Sequence, residues 1–279
     1  VNDHNLKPIL DLFIEDKTKA FKSYKKIKEA WTNDVYLINH CNEHYYVRIK
    51  NKKSTKSEYE LFTHFYKYPY YYDPITHNLI TKAIVIDFPF PTNKACLMSV
   101  KNFITQLQKL KKETISDLKA FDYLEFIKYA PNKELASYYK QLYLTIAKLE
   151  KKLVVAHNDL SYHNILINQK HKIFQVIDFE YASLNLKHWD VFNFLRDFDY
   201  ENHYPMYQFF IEKYKLEENV VHAYLFLVNF YAYLWAANAY EYAKAEFLNR
   251  YAIKHLKQAK FHLQMYLKLP SLEDSNELV

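Results

Sequence analysis

Hydrophobic and polar positions follow a period of two near the start of the chain and a helical period over much of the remainder. In Tyr45-Tyr46-Val47-Arg48-Ile49-Lys50, one face carries Tyr45, Val47 and Ile49 and the other carries Tyr46, Arg48 and Lys50. That is the signature of a half-buried strand. A second β-rich run at 34–39 precedes it, and the polar residues 40–44 between them mark a hairpin. Ser54 or Thr55 can cap a helix through Glu58, Leu61, Phe62 and Phe65 that ends before Pro69. Strand-like runs follow at 70–72 and 79–88, and Pro89-Phe90-Pro91 then breaks the pattern.

Beyond that break the apolar spacing is mainly helical. Leu135, Tyr139, Leu142, Ile146 and Leu149 share one helix face, as do Leu248, Ala252, Leu256, Ala259, Leu263 and Tyr266. One strand-rich island interrupts the helices at 153–179. These elements predict an α+β fold of two lobes, a β-rich lobe over residues 1–90 and a mainly helical lobe over 91–279.

Composition changes this picture in one respect. The 279 residues contain no glycine, where average usage of about 7% predicts roughly 20. Turns that need a positive φ must then use Asn, Asp, His or Lys, of which Asn and Asp tolerate it best. A sequence recoded or designed to omit glycine would look like this, and an extreme natural composition is the alternative. The net charge of +6 is modest, and lysine clusters such as 50–53 and 109–112 come with no nucleic-acid motif, so they read as a solvated surface. No run of about 18 apolar residues suggests a membrane span, and the first residues lack the apolar core of a secretory signal. Cys41 and Cys96 have no disulfide or metal-ligand spacing. A cytoplasmic protein that binds neither nucleic acid nor membrane is expected.

The island carries the chemistry. Residues 165–167 and 173–177 read as two strands joined by a polar turn. Folding that hairpin should bring Asn164, at the entry of the first strand, to Asp178, at the exit of the second. Asp159 lies five residues before Asn164, on the loop leading in. Three hard oxygen groups at one mouth suit Mg2+. Phosphoryl transfer uses such a set: a carboxylate takes the proton of the attacking hydroxyl, and an Asp and an Asn hold magnesium on the triphosphate. The spacing Asp159-x4-Asn164, with Asp178 fourteen residues later, is that of the protein-kinase catalytic loop and metal ligand. Asp178-Phe179-Glu180 stands where protein kinases have Asp-Phe-Gly, and no Ala-Pro-Glu follows, which favours a small-molecule kinase.

The run His157-Asn158-Asp159-Leu160-Ser161-Tyr162-His163-Asn164-Ile165-Leu166, followed by Ile177-Asp178-Phe179-Glu180, resembles the choline kinase branch of the choline/aminoglycoside kinase superfamily. Aminoglycoside phosphotransferases usually carry Gly where Asn158 stands, and choline kinases carry residues more like Asn. The resemblance implies a protein-kinase-like fold that uses ATP and Mg2+. It makes Asp159 the catalytic base, Asn164 and Asp178 the magnesium ligands, and Glu180 an acidic neighbour on the substrate side. Thr32-Asn33 resembles the end of the family's phosphate-covering loop, with Glu29-Ala30-Trp31 where glycines would lie. Without glycine the backbone there should approach phosphate less closely. The strand with Arg48 resembles the one whose basic residue reaches the phosphates, with Glu58 as its ion-pair partner and Glu60 as runner-up. Residues 84–88 would line the adenine pocket.

Downstream, Trp189-Asp190-Val191-Phe192-Asn193-Phe194-Leu195-Arg196-Asp197-Phe198-Asp199-Tyr200 resembles the stretch that shapes the choline site. It implies a structural Asp190, an acidic Asp197 where Glu is common, and Tyr200 as a pocket wall. Trp235 matches the second Trp of the family's Trp-x-x-Trp helix, and Ala232 replaces the first. Aromatic faces beside a carboxylate can hold a quaternary ammonium, each by about 0.5 to 2 kcal/mol. The expectation is therefore a choline kinase. Another amino-alcohol, ethanolamine or aminoglycoside kinase, or a nucleotide-binding scaffold with little turnover, are the alternatives.

Overall fold

The computed structural model describes residues 23–27, 33–40, 43–50, 56–65, 71–73, 75–76 and 78–270. They fall into two compact units: residues 1–88 with 115–117 and 166–180, and the remainder from Pro89 onward. The first unit runs to Phe88, and the hairpin of the island clusters with it.

The first unit is built on a five-stranded sheet in the order β1-β2-β3-β5-β4, from β1 (Ser23–Ile27), β2 (Asn33–His40), β3 (Glu43–Lys50), β4 (Tyr71–Tyr72) and β5 (Leu79–Lys82). The hairpin β2-β3 forms as its alternation predicts. Tyr36 opposes Val47 and Ile38 opposes Tyr45, all four buried on one face, while Tyr46 on the other is exposed. Helix α1 (Lys56–Phe65) buries Leu61 and Phe62; its expected cap residues Ser54 and Thr55 lie outside the described residues. β1 has no apolar alternation to announce it, because four of its five residues are exposed at the sheet edge.

The strand expected over 79–88 ends at Lys82. After it the chain leaves the ladder, and its polar groups go elsewhere: the Asp87 amide donates to the Ile167 carbonyl at 2.7 Å, and Asn168 Nδ2 to the Val85 carbonyl at 2.8 Å. The Ile167 acceptor and the Asn168 donor belong to β7 (Ile165–Asn168), which pairs with β8 (Ile173–Val176) as the predicted hairpin.

The second unit is helical apart from the pair β6 (Val154–Ala156) and β9 (Ser183–Asn185). Its helices are α2 (Lys94–Gln108), α3 (Lys133–Glu150), α4 (Trp189–Leu195), α5 (Tyr204–Tyr214), α6 (Glu218–Ala243) and α7 (Glu246–Tyr266). The periodicities read near 135–149 and 248–266 become α3 and α7. Helix α6 is long and apolar enough to cross a membrane by length and composition, but 83% of its most apolar window is buried inside this unit. It also carries buried Asn219, His222 and Asn229, and it reads as a core helix. Helices α6 and α7 run antiparallel with side chains paired in rungs, His222 with His262, Asn229 with His255 and Trp235 with Tyr251.

Positive φ angles fall on Asp117, Lys151, Asn158, Lys172, Asp178, Lys215 and Lys244. Lys151, Lys215 and Lys244 terminate α3, α5 and α6, at the position where glycine usually ends a helix.

Candidate active site

In the second unit the pairing of β6 with β9 sets Ala156 opposite Ser183 and presents the loop 157–164 at the end of β6. Asn158 turns that loop with φ of 65°. Asparagine can hold this conformation because its short amide bonds locally. Here Nδ2 donates to the Tyr181 carbonyl at 3.0 Å and to Ser183 Oγ at 2.7 Å, while Oδ1 accepts from Asn185 Nδ2 at 2.7 Å. The side chain is buried, and this network satisfies it.

Helix α4 grips the same loop. Asp190, fully buried in its first turn, accepts from the His157 amide at 2.7 Å and the Asn158 amide at 2.9 Å. Burial pushes its carboxyl up to about 6, against the pull of those two amides, with the Asp159 charge pushing further up. Asn193 Nδ2 donates to the Asn158 carbonyl. The structural role expected for Asp190 is this one.

Asp159 follows. Asn164, closing the short 3-10 turn Tyr162–Asn164, donates from Nδ2 to both the Asp159 carbonyl and Asp159 Oδ2, each at 2.8 Å. Those bonds assign the amide, so Oδ1 is the Asn164 atom left for a cation. Arg196, at the end of α4, donates to Asp159 Oδ1 at 3.4 Å. Asp159 keeps 34% of its side chain exposed, enough for a substrate hydroxyl to reach it.

Asp197 is next to Arg196 in the chain. Burial pushes its carboxyl up, and the charges of Arg196, Lys254 and His163 and the Tyr162 amide oppose that. Its Oδ2 is buried with no hydrogen-bond partner. Trp235 meets Tyr251 edge to face at 6.2 Å, and the Tyr251 ring lies 4.1 Å from His255. Burial raises the Tyr251 hydroxyl to about 12, with Arg196 opposing and Asp197 and Asp159 adding, so Tyr251 belongs to the electrostatic neighbourhood of Asp159. The structure does not bring Tyr200 to this group. Its ring packs on Tyr207 at 4.8 Å, on His222 at 5.6 Å and on His262 at 5.5 Å. His222 and Trp235 are thirteen residues apart on α6, about 20 Å along a helix. Ala232, where a Trp was absent, is itself buried.

In the first unit Arg48 extends between two carboxylates. It donates from Nη1 to Asp178 Oδ1 at 2.9 Å and from Nη2 to Glu58 Oε1. Glu58 is thus the partner, whereas Glu60 binds the Ser116 amide and hydroxyl. Burial works to lower the Arg48 pKa, and Glu58, Asp178 and Glu180 together raise it above its ordinary value. Glu180, expected on the substrate side, therefore acts electrostatically at Arg48. Asp178 has φ of 68°, an Asp in a left-handed position where glycine would be easiest. Thr32 lies outside the described residues, and Asn33 is the first residue of β2. Val85, Ile86 and Phe88 are exposed apolar side chains.

A carboxylate and an amide oxygen are hard donors that suit a cation retaining several waters, as magnesium does. No group of three His, Cys, Asp or Glu able to hold a metal occurs among the described residues. Arg196, Asn193, Lys254 and Tyr251 were not singled out from the sequence. The spacing of Asp190, Asn193 and Arg196 by three on one helix was the available signal for the first two.

Residues 71–266 match the family described as choline/ethanolamine kinase. Choline kinase of Schizosaccharomyces pombe is 29% identical over 89 residues, a match spanning 26% of this chain and 20% of that protein. The chain therefore aligns with only a fifth of that relative's length. Among solved structures, choline kinase LicA from Streptococcus pneumoniae superposes with a TM-score of 0.69 at 17% identity, covering 94% of this chain and 99% of the other. The GDP and kanamycin complex of APH(2")-IIia gives 0.66 at 12% identity, covering 94% and 99%. At such identities these likenesses establish the fold, which is the protein-kinase-like one.

Proposed function

The chain belongs to the choline/ethanolamine kinase family of small-molecule phosphotransferases, and we propose that it transfers the γ-phosphoryl group of Mg-ATP to the hydroxyl of choline. The observation that carries this reading is the loop in which Asp159, partly exposed, is held by Asn164 through its main-chain carbonyl and its carboxylate. A base must be fixed and reachable at once.

In this reading Asp159 accepts the proton of the acceptor hydroxyl. Asn164 Oδ1 and the Asp178 carboxylate hold magnesium, and Arg48, backed by Glu58, meets the phosphates together with Thr32 and Asn33. The apolar side chains of Val85, Ile86 and Phe88 receive the adenine. Bound Mg-ATP supplies the phosphoryl group and the countercharge for it. Asp197 and the Trp235–Tyr251 pair receive the nitrogen end of the acceptor. A cytoplasmic setting goes with this reading, and Cys96 is buried.

One observation favours a second acceptor, ethanolamine or a similar amino alcohol. The buried Asp197 Oδ2 has no donor, and an unsatisfied acceptor costs about 1 to 3 kcal/mol. A primary ammonium can supply an N–H there; a quaternary one cannot.

The test is ADP release from Mg-ATP with choline, ethanolamine and an aminoglycoside offered separately, beside an Asp159→Asn control. Choline-dependent release that is lost in the control supports the reading. Release with ethanolamine alone replaces the acceptor. Nucleotide binding with no stimulated release by any acceptor sinks the kinase reading in favour of a scaffold.

A further inference from the structure

We infer that Arg196 is a positioning residue for the base: through its bond to Asp159 it holds the carboxylate in the orientation that receives the acceptor's proton. The inference rests on the reading of Asp159 as base.

One face of α4 engages successive residues of the catalytic loop. Asp190 takes the amides of His157 and Asn158, Asn193 takes the carbonyl of Asn158, and Arg196 takes the carboxylate of Asp159. Positions three apart on a helix lie on one side, so a short, fully buried helix serves as a template for the loop. The first two contacts fix the backbone. The third reaches the side chain that does the chemistry.

Arg196 is poorly explained as a stabilising residue. Only 7% of its side chain is exposed. Among the described residues its one side-chain hydrogen bond goes to Asp159, and its Nε is buried without a partner. A buried cation with so few bonds is destabilising relative to an apolar side chain of similar size. Burial works to lower its pKa, but Tyr251, Asp197, Asp159 and Tyr231 raise it above the ordinary value, so it stays charged.

Asp159 is thereby held at both ends. Oδ2 accepts from Asn164 at 2.8 Å and Oδ1 from Arg196 at 3.4 Å. The two donors reach different oxygens of the carboxyl and together restrict its rotation. Arginine suits this task because its planar fork loses less freedom per bond than a lysine ammonium.

The experiment is a double-mutant cycle with Arg196→Met and Arg196→Lys, each made in the natural sequence and in Asp159→Asn, and read by kcat, both KM values and thermal unfolding. We expect Arg196→Met to lower kcat about 10- to 100-fold, the scale of a misplaced catalytic group, with KM for ATP changed less than about 2-fold. Arg196→Lys should restore part of the loss. In Asp159→Asn, where no base remains to be oriented, either Arg196 substitution should change kcat by less than about 3-fold. An equal loss in both backgrounds, or no loss in the natural one, overturns the inference. Should Arg196→Met not fold, Arg196→Lys runs the same cycle, with a loss of about 3- to 10-fold expected only where Asp159 is present. If Asp159→Asn alone leaves turnover intact, the assignment of the base fails first, and the inference with it.

Discussion

Arg48 donates to Asp178 Oδ1 at 2.9 Å, so the cation proposed to meet the nucleotide is ion-paired to the carboxylate proposed to hold its metal. Glu58, with 6% of its side chain exposed, holds the same guanidinium from the other side. Asp178 is much more accessible, at 30%. This asymmetry suggests a division of labour in which Glu58 anchors Arg48 and Asp178 exchanges between Arg48 and a metal.

Replacing Arg48 by Met should raise KM for ATP about 10-fold or more, while KM for the acceptor stays within about 2-fold. It should also lower stability by roughly 3 kcal/mol, because Glu58 is then a buried charge without its cation. Arg48→Lys should recover most of the stability and part of the affinity. Steady-state kinetics and urea unfolding of both variants check this. An unchanged KM for ATP would leave Arg48 a purely structural link.

Trp235 tests the acceptor site. Its edge-to-face contact sets one aromatic of the expected cage beside Tyr251, whose hydroxyl feels the Asp159 charge. Trp235→Ala should raise KM for choline about 10-fold, the range of one cation-π contact of about 1 to 2 kcal/mol, and leave KM for ATP nearly unchanged. Equal effects on both would make Trp235 a packing residue. Tyr200→Phe, by contrast, should affect neither KM, since Tyr200 packs beside His222 and His262 instead.

What the sequence revealed and what it hid have different physical origins. The hairpins and the helices near 135–149 and 248–266 were legible because each buries one face, which leaves a periodic imprint. β1 left none, being an exposed edge. The Asp159–Asn164 contact and the Arg48–Glu58 pair were legible because the motifs they resemble need fixed residue types at fixed spacing. The surroundings of Trp235 and Tyr200 were not. Which ring meets Trp235 and which meets His222 depends on how α6 packs against α7 and the 196–204 segment, and composition carries no record of that.

The absence of glycine gives a stability prediction. Lys151, Lys215 and Lys244 hold φ of 59°, 53° and 51° at helix ends, a conformation that costs a residue with a Cβ about 1 kcal/mol. Each Lys→Gly change should raise stability by roughly 0.5 to 1 kcal/mol, offset in part by the entropy of the unfolded glycine. The three sites are far apart in sequence and should add. Asn158→Gly should do the opposite despite its φ of 65°, since it deletes the bonds to Tyr181, Ser183 and Asn185. Denaturant midpoints at unchanged slope decide between these effects.

Acid should destabilise the second unit through its buried histidines. His255 donates from Nδ1 to Asn229 Oδ1 at 2.7 Å, and burial, helped by Arg196 and Lys254, lowers its pKa to about 2. His262 shares a 2.9 Å contact with His222; burial and that neighbour lower it to about 3, and burial lowers His222 as well, with the exposed Glu218 carboxylate opposing. Tyr200 and Phe261 cover the pair with rings that carry no charge near neutral pH. All three imidazoles are neutral when folded and would charge when unfolded, near 6.5. Their contribution is therefore present above pH 6.5 and is lost as the pH falls toward the folded values. Asp190 works the other way. Raised to about 6, its contribution is present below the ordinary aspartate range and disappears as the pH rises through 6. Three groups against one leave unfolding coupled to net proton uptake between pH 6 and 4, each unopposed histidine worth up to about 1.4 kcal/mol per pH unit. Urea midpoints at pH 7, 6 and 5 should fall in that order, and His262→Gln should flatten the slope whatever it does to stability at pH 7. A slope unchanged by the substitution would mean that His262 takes up no proton on unfolding in this range, and would remove its buried imidazole from the pH dependence.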